Sequence, residues 1–391
     1  MLLLAALPVF IWLFLLLGWG GFWRADQRLK RASPPSVWPG VAVVIPARNE
    51  AETARRIIEA HMASDYPGAL DVYLVNDSST DATVAEAMAG ADGSNRTLSI
   101  VDAPPLEDGW SGKLWAVHAG LAAAREASPE AKYVLLTDAD IAHGAALAQR
   151  LVARAEAEKL GLVSVMARLD DRGRWGGLLI PAFIFFFQKL YPFPLINAAQ
   201  SQIAGAAGGV VLVRRDVLEE IGGIAAIRGA LIDDCALAKA VKTGPPRRAI
   251  ELVLSDQTAV ATSLRDNRSY ASIKNMIART AFTQLNYSPL RLIGTLAGLV
   301  LVYLVAPISI LSFPLHGDIR IVSLGALAWC LMAFAYWPTL KLYKRSALEG
   351  FALPVAGAYY AWFTLLSALR HWRGKGGQWK GRTYPSAGSG M

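Results

Sequence analysis

Apolar positions in this chain fall into two patterns. Residues 1–23, 292–315, 321–340 and 350–369 are long uncharged stretches at the two ends, each long enough to cross a bilayer core of about 30 Å. Between them the apolar runs are short. Val41-Ala42-Val43-Val44-Ile45, Asp71-Val72-Tyr73-Leu74-Val75, Leu98-Ser99-Ile100-Val101 and Tyr133-Val134-Leu135-Leu136-Thr137 read as strands, and their near-continuous apolarity suits strands covered on both faces. Helical patterns follow over 51–63, 82–89, 114–127 and 145–159. Thr80 or Asp81 is the expected N-cap of the second. Strands alternating with helices predict βαβ units and a mainly parallel sheet, an α/β fold.

The later pattern is less regular. Gly161–Val165 and Val210–Val213 read as further strands, and residues 250–262 as one or two more. A helix is expected from Ile232 to about Lys242, and an amphipathic one over Tyr270–Leu285. Leu178–Phe187 is apolar and aromatic but only ten residues long, with Pro181 inside it and Pro192 and Pro194 after it. That is too short to span, so it is expected to be an interfacial or buried segment near lipid, broken at Pro181.

Composition agrees with a soluble domain between membrane segments. Of 391 residues, 54% are hydrophobic and 18% charged, and the apolar excess lies at the ends. The net charge of +8 could suit nucleic acid, but the basic residues sit beside apolar stretches, which favours anionic lipid head groups. Two distant cysteines, Cys235 and Cys330, argue against a disulfide framework and fit a reducing cytosol. Arg24, Arg28, Lys30 and Arg31 follow the first apolar stretch and no basic residue precedes it. That favours a span over a cleaved signal, with residue 24 onward in the cytoplasm. The expected division is a membrane helix at 1–23, a linker at 24–39, a cytoplasmic catalytic domain at 40–265, an interface helix at 266–290, three membrane segments at 291–370 and a basic tail at 371–391. Three spans would export that basic tail, against the charge rule, so residues 350–369 could instead re-enter or lie in the interface.

The candidate chemistry lies where strands end. Asp138-Ala139-Asp140 follows the fourth strand, and ligands of open α/β sheets bind at strand carboxyl ends. Paired carboxylates that also meet phosphates suit Mg²⁺ or Mn²⁺. Asn49/Glu50, Asp77 and Asp233/Asp234 are three further polar clusters at such ends. Lys113 opens a helix and suits a phosphate as a point charge. Plainer readings stand beside these. Asp77 could cap a turn, Lys113 could be solvated, Asp233 and Asp234 could be N-caps, Arg279 could face lipid or water, and Trp110 and Trp115 could be packing residues. The five histidines show no metal-ligand spacing.

Four pieces together resemble the family 2 glycosyltransferases of the GT-A fold: Ile45-Pro46-Ala47-Arg48-Asn49-Glu50, Val75-Asn76-Asp77-Ser78-Ser79-Thr80-Asp81, Asp138-Ala139-Asp140 and Asp233-Asp234-Cys235-Ala236-Leu237. The likeness covers roughly residues 40–285. Gly109-Trp110-Ser111-Gly112-Lys113, Gly208-Gly209 with Arg214-Arg215, and the one-plus-three membrane pattern look like the hopanoid-associated membrane branch. Ceramide glucosyltransferases look more distant. The resemblance implies that Ala47, Glu50 and Asp77 hold the uridine of a UDP-sugar. It implies that Asp140 with Asp138 binds Mg²⁺ or Mn²⁺ at the pyrophosphate, that Lys113 and Arg279 assist the donor, and that Asp234 is the general base. Processive members carry Gln-x-x-Arg-Trp, whereas Met276-Ile277-Ala278-Arg279-Thr280 keeps only the Arg. Transfer of one sugar to a lipid hydroxyl is therefore expected, in a bacterial inner membrane protein. Alternatives are a ceramide or polyprenyl-phosphate acceptor, a non-catalytic nucleotide-sugar sensor, and a transporter; the last would need polar or broken helices at a midplane site.

Overall fold

The computed structural model describes residues 1–257 and 260–374, with the backbone at 378, 379, 382 and 383. Most of the expected basic tail lies outside the described residues. The chain forms two units. One includes Gln27–Leu169 and Leu195–Arg265; the other comprises Met1–Asp26, Asp170–Pro194 and Asp266–Gln378. The expected domain 40–265 is thus interrupted, because Asp170–Pro194 packs with the helical unit.

The first unit is an α/β domain built on a seven-stranded sheet. Its nine strands in chain order are β1 (Gly40–Ala47), β2 (Leu70–Asn76), β3 (Leu98–Asp102), β4 (Ala131–Thr137), β5 (Ile141–His143), β6 (Leu162–Met166), β7 (Val210–Arg214), β8 (Ile250–Leu254) and β9 (Ala261–Ser263). The sheet order is β3-β2-β1-β4-β7-β6-β8, and β5 pairs with β9 apart from it. β1, β2, β3 and β4 run parallel, with Val43 beside both Val72 and Leu135. Val43, Val44, Ile45, Leu74 and Leu135 are almost wholly buried, as strands covered by helices require. Helices Ala51–Met62, Thr83–Ala91, Gly112–Ala127, Leu147–Glu158 and Asp233–Thr243 complete the unit.

One strand next to β4 runs against it. The antiparallel β7 pairs with β4 so that Val210 lies opposite Thr137. The start of β7 therefore sits at the end of β4, and the Thr137 hydroxyl donates to the Gly209 carbonyl at 2.8 Å. The small-residue stretch Gly208-Gly209 is thereby placed beside Asp138.

Two local expectations need correction. The helix after β2 begins at Thr83 with Ala82 in the N-cap position. Asp81 nonetheless accepts from the Thr83 N–H at 3.0 Å, so its carboxylate caps from one residue further out. The segment expected to break at Pro181 is one continuous helix, Gly173–Leu190.

The second unit is helical. Among the described residues three helices are long and apolar enough to cross a membrane: Pro289–Leu311, Ile319–Leu342 and Ala347–Trp372. The N-terminal apolar helix covers Leu2–Leu17, shorter than the expected 1–23. It ends at the C-cap Gly18, whose N–H donates to the Phe14 carbonyl, and Gly20 and Gly21 take positive φ beyond it. Pro289–Leu311 widens to a π turn at Val300–Leu304, and the Trp12 indole donates to the Val302 carbonyl at 3.0 Å. A side chain reaching into the helical ladder accompanies such a bulge. Trp12, Phe185, Phe186, Tyr303 and Tyr360 pack around it, mostly edge to face.

Candidate active site

The carboxyl ends of β1 and β2 are laced together. Asp77 N–H donates to the Ala47 carbonyl at 2.9 Å. Asn49 Oδ1 accepts from Thr80 N–H at 2.8 Å, and Glu50 N–H donates to the Thr83 hydroxyl at 2.8 Å. Asn49 and Ser78 both take left-handed backbone conformations, φ 51° and 53°. Asn tolerates that region well, and Ser less so. Two strained residues on facing loops mark a surface shaped for something other than stability. Arg48 lies across it, donating to the Asp77 carbonyl at 2.5 Å with its guanidinium 3.6 Å from the Asp77 carboxylate. Ala47 and Asp77 are buried here and Glu50 is half-buried. The three expected uridine residues are therefore neighbours on one sheet edge.

The second group gathers around Lys113. Ser111 caps helix Gly112–Ala127, its hydroxyl accepting from Leu114 N–H, and Lys113 follows in the first turn. Its ammonium lies 2.8 Å from Asp138 and 2.9 Å from Asp233. It is thus no solvated lysine. Burial would pull it down, but Asp138 and Asp233 outweigh that and hold it well above the ordinary lysine value. Nor is Asp233 a cap: Ile232 occupies that position, and Asp233 instead links Lys113 to the start of helix Asp233–Thr243.

Asp234 is fixed by two backbone donors. Gly208 N–H reaches Oδ2 at 2.7 Å and Cys235 N–H reaches Oδ1 at 2.7 Å. Burial, and then the charge of Asp233, raise the Asp234 carboxyl to about 6, against the pull of Lys113. Lys113, Asp138, Asp233, Asp234 and Gly208 line one open cleft. Pro46, Leu136, Ile224 and Leu237 supply apolar walls. A cleft with apolar walls and a few convergent charges suits a small-molecule substrate.

Asp140 stands apart from the cleft wall. Its side chain is 10% exposed and 2.9 Å from the Arg265 guanidinium. Burial raises its carboxyl and Arg265 opposes that. Among the described residues no three His, Cys, Asp or Glu side chains gather as a metal cage. Asp138 and Asp140 still fit a divalent ion: both are hard oxygen donors, and Asp138 is 35% exposed, which leaves room for phosphate and water ligands. Arg279 lies on helix Tyr270–Gln284 in the helical unit.

Residues 39–267 match the family model described as "Glycosyltransferase like family 2". The chain belongs to this glycosyltransferase family. No curated protein matches it. Among solved structures, a mannosyltransferase from Pyrobaculum calidifontis, in complex with GDP-Man and Mn²⁺, is similar at 20% identity with a TM-score of 0.53. That alignment covers 94% of this chain and 99% of that one. The M. tuberculosis glucosyl-3-phosphoglycerate synthase with Mn²⁺, UDP and phosphoglyceric acid is similar at 18% identity and a TM-score of 0.43, over 67% of this chain and 86% of that chain. At 20% identity the likeness to the mannosyltransferase is one of fold, a GT-A-like α/β domain, as the sequence predicted.

Two partners of the acidic residues escaped the sequence reading. Arg265 comes just after β9, and only the pairing of β9 with β5 carries it to Asp140. Gly208 was noted for its small size, but its N–H on Asp234 depends on the β4–β7 register. The Arg214-Arg215 pair turns to the fold instead: Arg214 binds Asp216, and Arg215 donates to the Ser128 and Pro129 carbonyls.

Proposed function

We propose that this glycosyltransferase moves a single sugar from a UDP-sugar to the hydroxyl of a membrane lipid, with inversion at the anomeric carbon. The observation that carries the reading is the half-buried Asp234 carboxylate, held by two backbone N–H groups in a cleft whose other wall is Lys113–Asp138. A carboxyl raised to about 6 is ionised at neutral pH and more basic than an ordinary aspartate, which suits a general base.

Ala47, Glu50 and Asp77 bind the uridine. Asp138 and Asp140 hold a Mg²⁺ or Mn²⁺ ion. A bound divalent ion supplies Lewis-acid stabilisation of the leaving diphosphate. Lys113 contributes a fixed positive charge beside the phosphates. The acceptor hydroxyl oxygen attacks C1 of the sugar while Asp234 takes its proton. The bond from C1 to the diphosphate breaks, and the diphosphate leaves with the electron pair. One displacement inverts the anomeric centre.

The lipid acceptor is supported by three apolar helices carried on the same chain as the catalytic unit, which keep the cleft and membrane lipids together and lower the entropy cost of their encounter. A hopanoid is the favoured lipid, on family resemblance only: Gly109–Lys113, Gly208-Gly209 with Arg214-Arg215, and the one-plus-three membrane pattern. The reading places the protein in a bacterial inner membrane on its family resemblance, and the charge of Arg24, Arg28, Lys30 and Arg31 supports a cytoplasmic catalytic unit.

The test is transfer in membranes with Mn²⁺ or Mg²⁺, using labelled UDP-sugars and GDP-mannose with extracted bacterial lipids. A glycolipid is expected with wild type and UDP-sugar, and none with Asp140→Ala or Asp234→Asn. Transfer only from GDP-mannose would overturn the donor, and a water-soluble product would overturn the lipid acceptor.

A further inference from the structure

Each carboxylate of the Asp138–Asp140 pair already has a basic partner. Lys113 reaches Asp138 at 2.8 Å and Arg265 reaches Asp140 at 2.9 Å. The second contact is built by the fold. β5 follows Asp140 directly and pairs with β9, Ile141 opposite Ser263. Leu264 N–H then donates to the Asp140 carbonyl at 2.7 Å, which fixes the backbone one residue before Arg265. The two ends of the pairing differ in freedom: the Asp140 side chain is 10% exposed, the Arg265 side chain 38%. The carboxylate stays where it is, and the guanidinium can turn.

A divalent ion arriving alone would compete with that guanidinium for Asp140 at short range, where like charges repel. A diphosphate changes the balance. It offers the planar guanidinium a two-pronged phosphate partner, a geometry for which arginine is suited and lysine is not. Asp140 is then free for the ion.

We propose that Arg265 is a diphosphate-binding residue that is stored on Asp140 and exchanges that carboxylate for the donor's phosphates, so that Asp140 takes its divalent ion only together with a nucleoside diphosphate. Arg265 thereby enforces joint binding and keeps an ion from settling in the site before the donor arrives. The inference rests on Asp138 and Asp140 being the ion-binding pair.

The experiment measures Mn²⁺ binding by electron paramagnetic resonance, on the purified full-length protein in detergent, without nucleotide and with UDP or GDP. Wild type is expected to bind Mn²⁺ weakly alone and tightly with nucleoside diphosphate. Arg265→Gln is expected to bind Mn²⁺ alone about tenfold more tightly, and to bind UDP or GDP with Mn²⁺ about tenfold more weakly, since one charged two-pronged contact is lost. If either shift is missing while Asp140→Asn abolishes Mn²⁺ binding, the role of Arg265 is wrong and the ion site stands. If Asp140→Asn binds Mn²⁺ like wild type with nucleotide present, the ion site itself is wrong. Should Arg265→Gln fail to fold, Arg265→Lys carries the test. It keeps the charge on Asp140 and loses the fork, so weak Mn²⁺ binding alone with reduced diphosphate affinity is expected, and wild-type diphosphate affinity would overturn the proposal.

Discussion

Asp234 carries two opposite consequences of one shifted proton equilibrium. Its carboxyl lies near 6 in the folded chain against 3.8 for an ordinary aspartate. Between those values the folded state binds a proton that the unfolded chain has released. That contribution favours folding at low pH and is lost as pH rises through about 6. Catalysis needs the other form, since only the ionised carboxylate can accept the acceptor's proton. Transfer rate is therefore expected to climb as pH rises towards 6 and to level off above it. Asp234→Asn is expected to lower kcat by roughly 10²–10⁴-fold and to remove this limb of the profile. It should also flatten the fall in thermal stability between pH 4 and 6. A profile for Asp234→Asn that still rises through 6 would assign the base elsewhere.

At the scale of elements, the site exists because a helix and two strands meet closely. Helix Gly112–Ala127 lies on β1 and β2, and it delivers Lys113 to the cleft at its first turn. Gly120 is the point of contact: a Cβ there would stand 2.6 Å from side-chain atoms of both Val44 and Val75. Neither valine can yield easily, because both are almost wholly buried. Gly120→Ala is expected to lower stability by about 1–3 kcal/mol through overpacking, seen as a reduced melting temperature of the purified protein. An unchanged melting temperature would mean that the helix rides higher on the sheet. The antiparallel pairing of β7 with β4 has the matching effect on the other wall, where it sets Gly208 against Asp234.

For the whole molecule, the decisive feature is that a catalytic unit and a helical unit alternate along the chain. Pro289–Leu311, Ile319–Leu342 and Ala347–Trp372 expose large apolar side chains such as Ile293, Trp337 and Trp362. Faces of this kind belong against lipid. The protein is expected to stay in the membrane pellet through alkaline carbonate and high-salt washing and to leave it only in detergent. Release by carbonate would mean that these helices rest on a surface rather than span.

The sequence alone determined much of this. Strand–helix alternation fixes an α/β sheet, because wholly apolar short runs must be covered on both faces. Asn49/Glu50, Asp77 and Asp138/Asp140 stand at strand ends that any such sheet would align, whereas Asp233/Asp234, also expected at a strand end, open helix Asp233–Thr243 instead; the end segments are too apolar for water. Those signals are local, carried by neighbours along the chain. What the tertiary structure decided is non-local. The β4–β7 register brought Gly208 to Asp234, and the β5–β9 pair brought Arg265 to Asp140. The folded chain also bound Lys113 between Asp138 and Asp233, where sequence allowed a solvated lysine. Asp170–Pro194, inside the expected bounds 40–265 though its apolar part was expected near lipid, joined the helices, because its aromatic face finds Trp12, Tyr303 and Tyr360 there. Which charge meets which depends on pairing across the chain, and no run of adjacent residues records it.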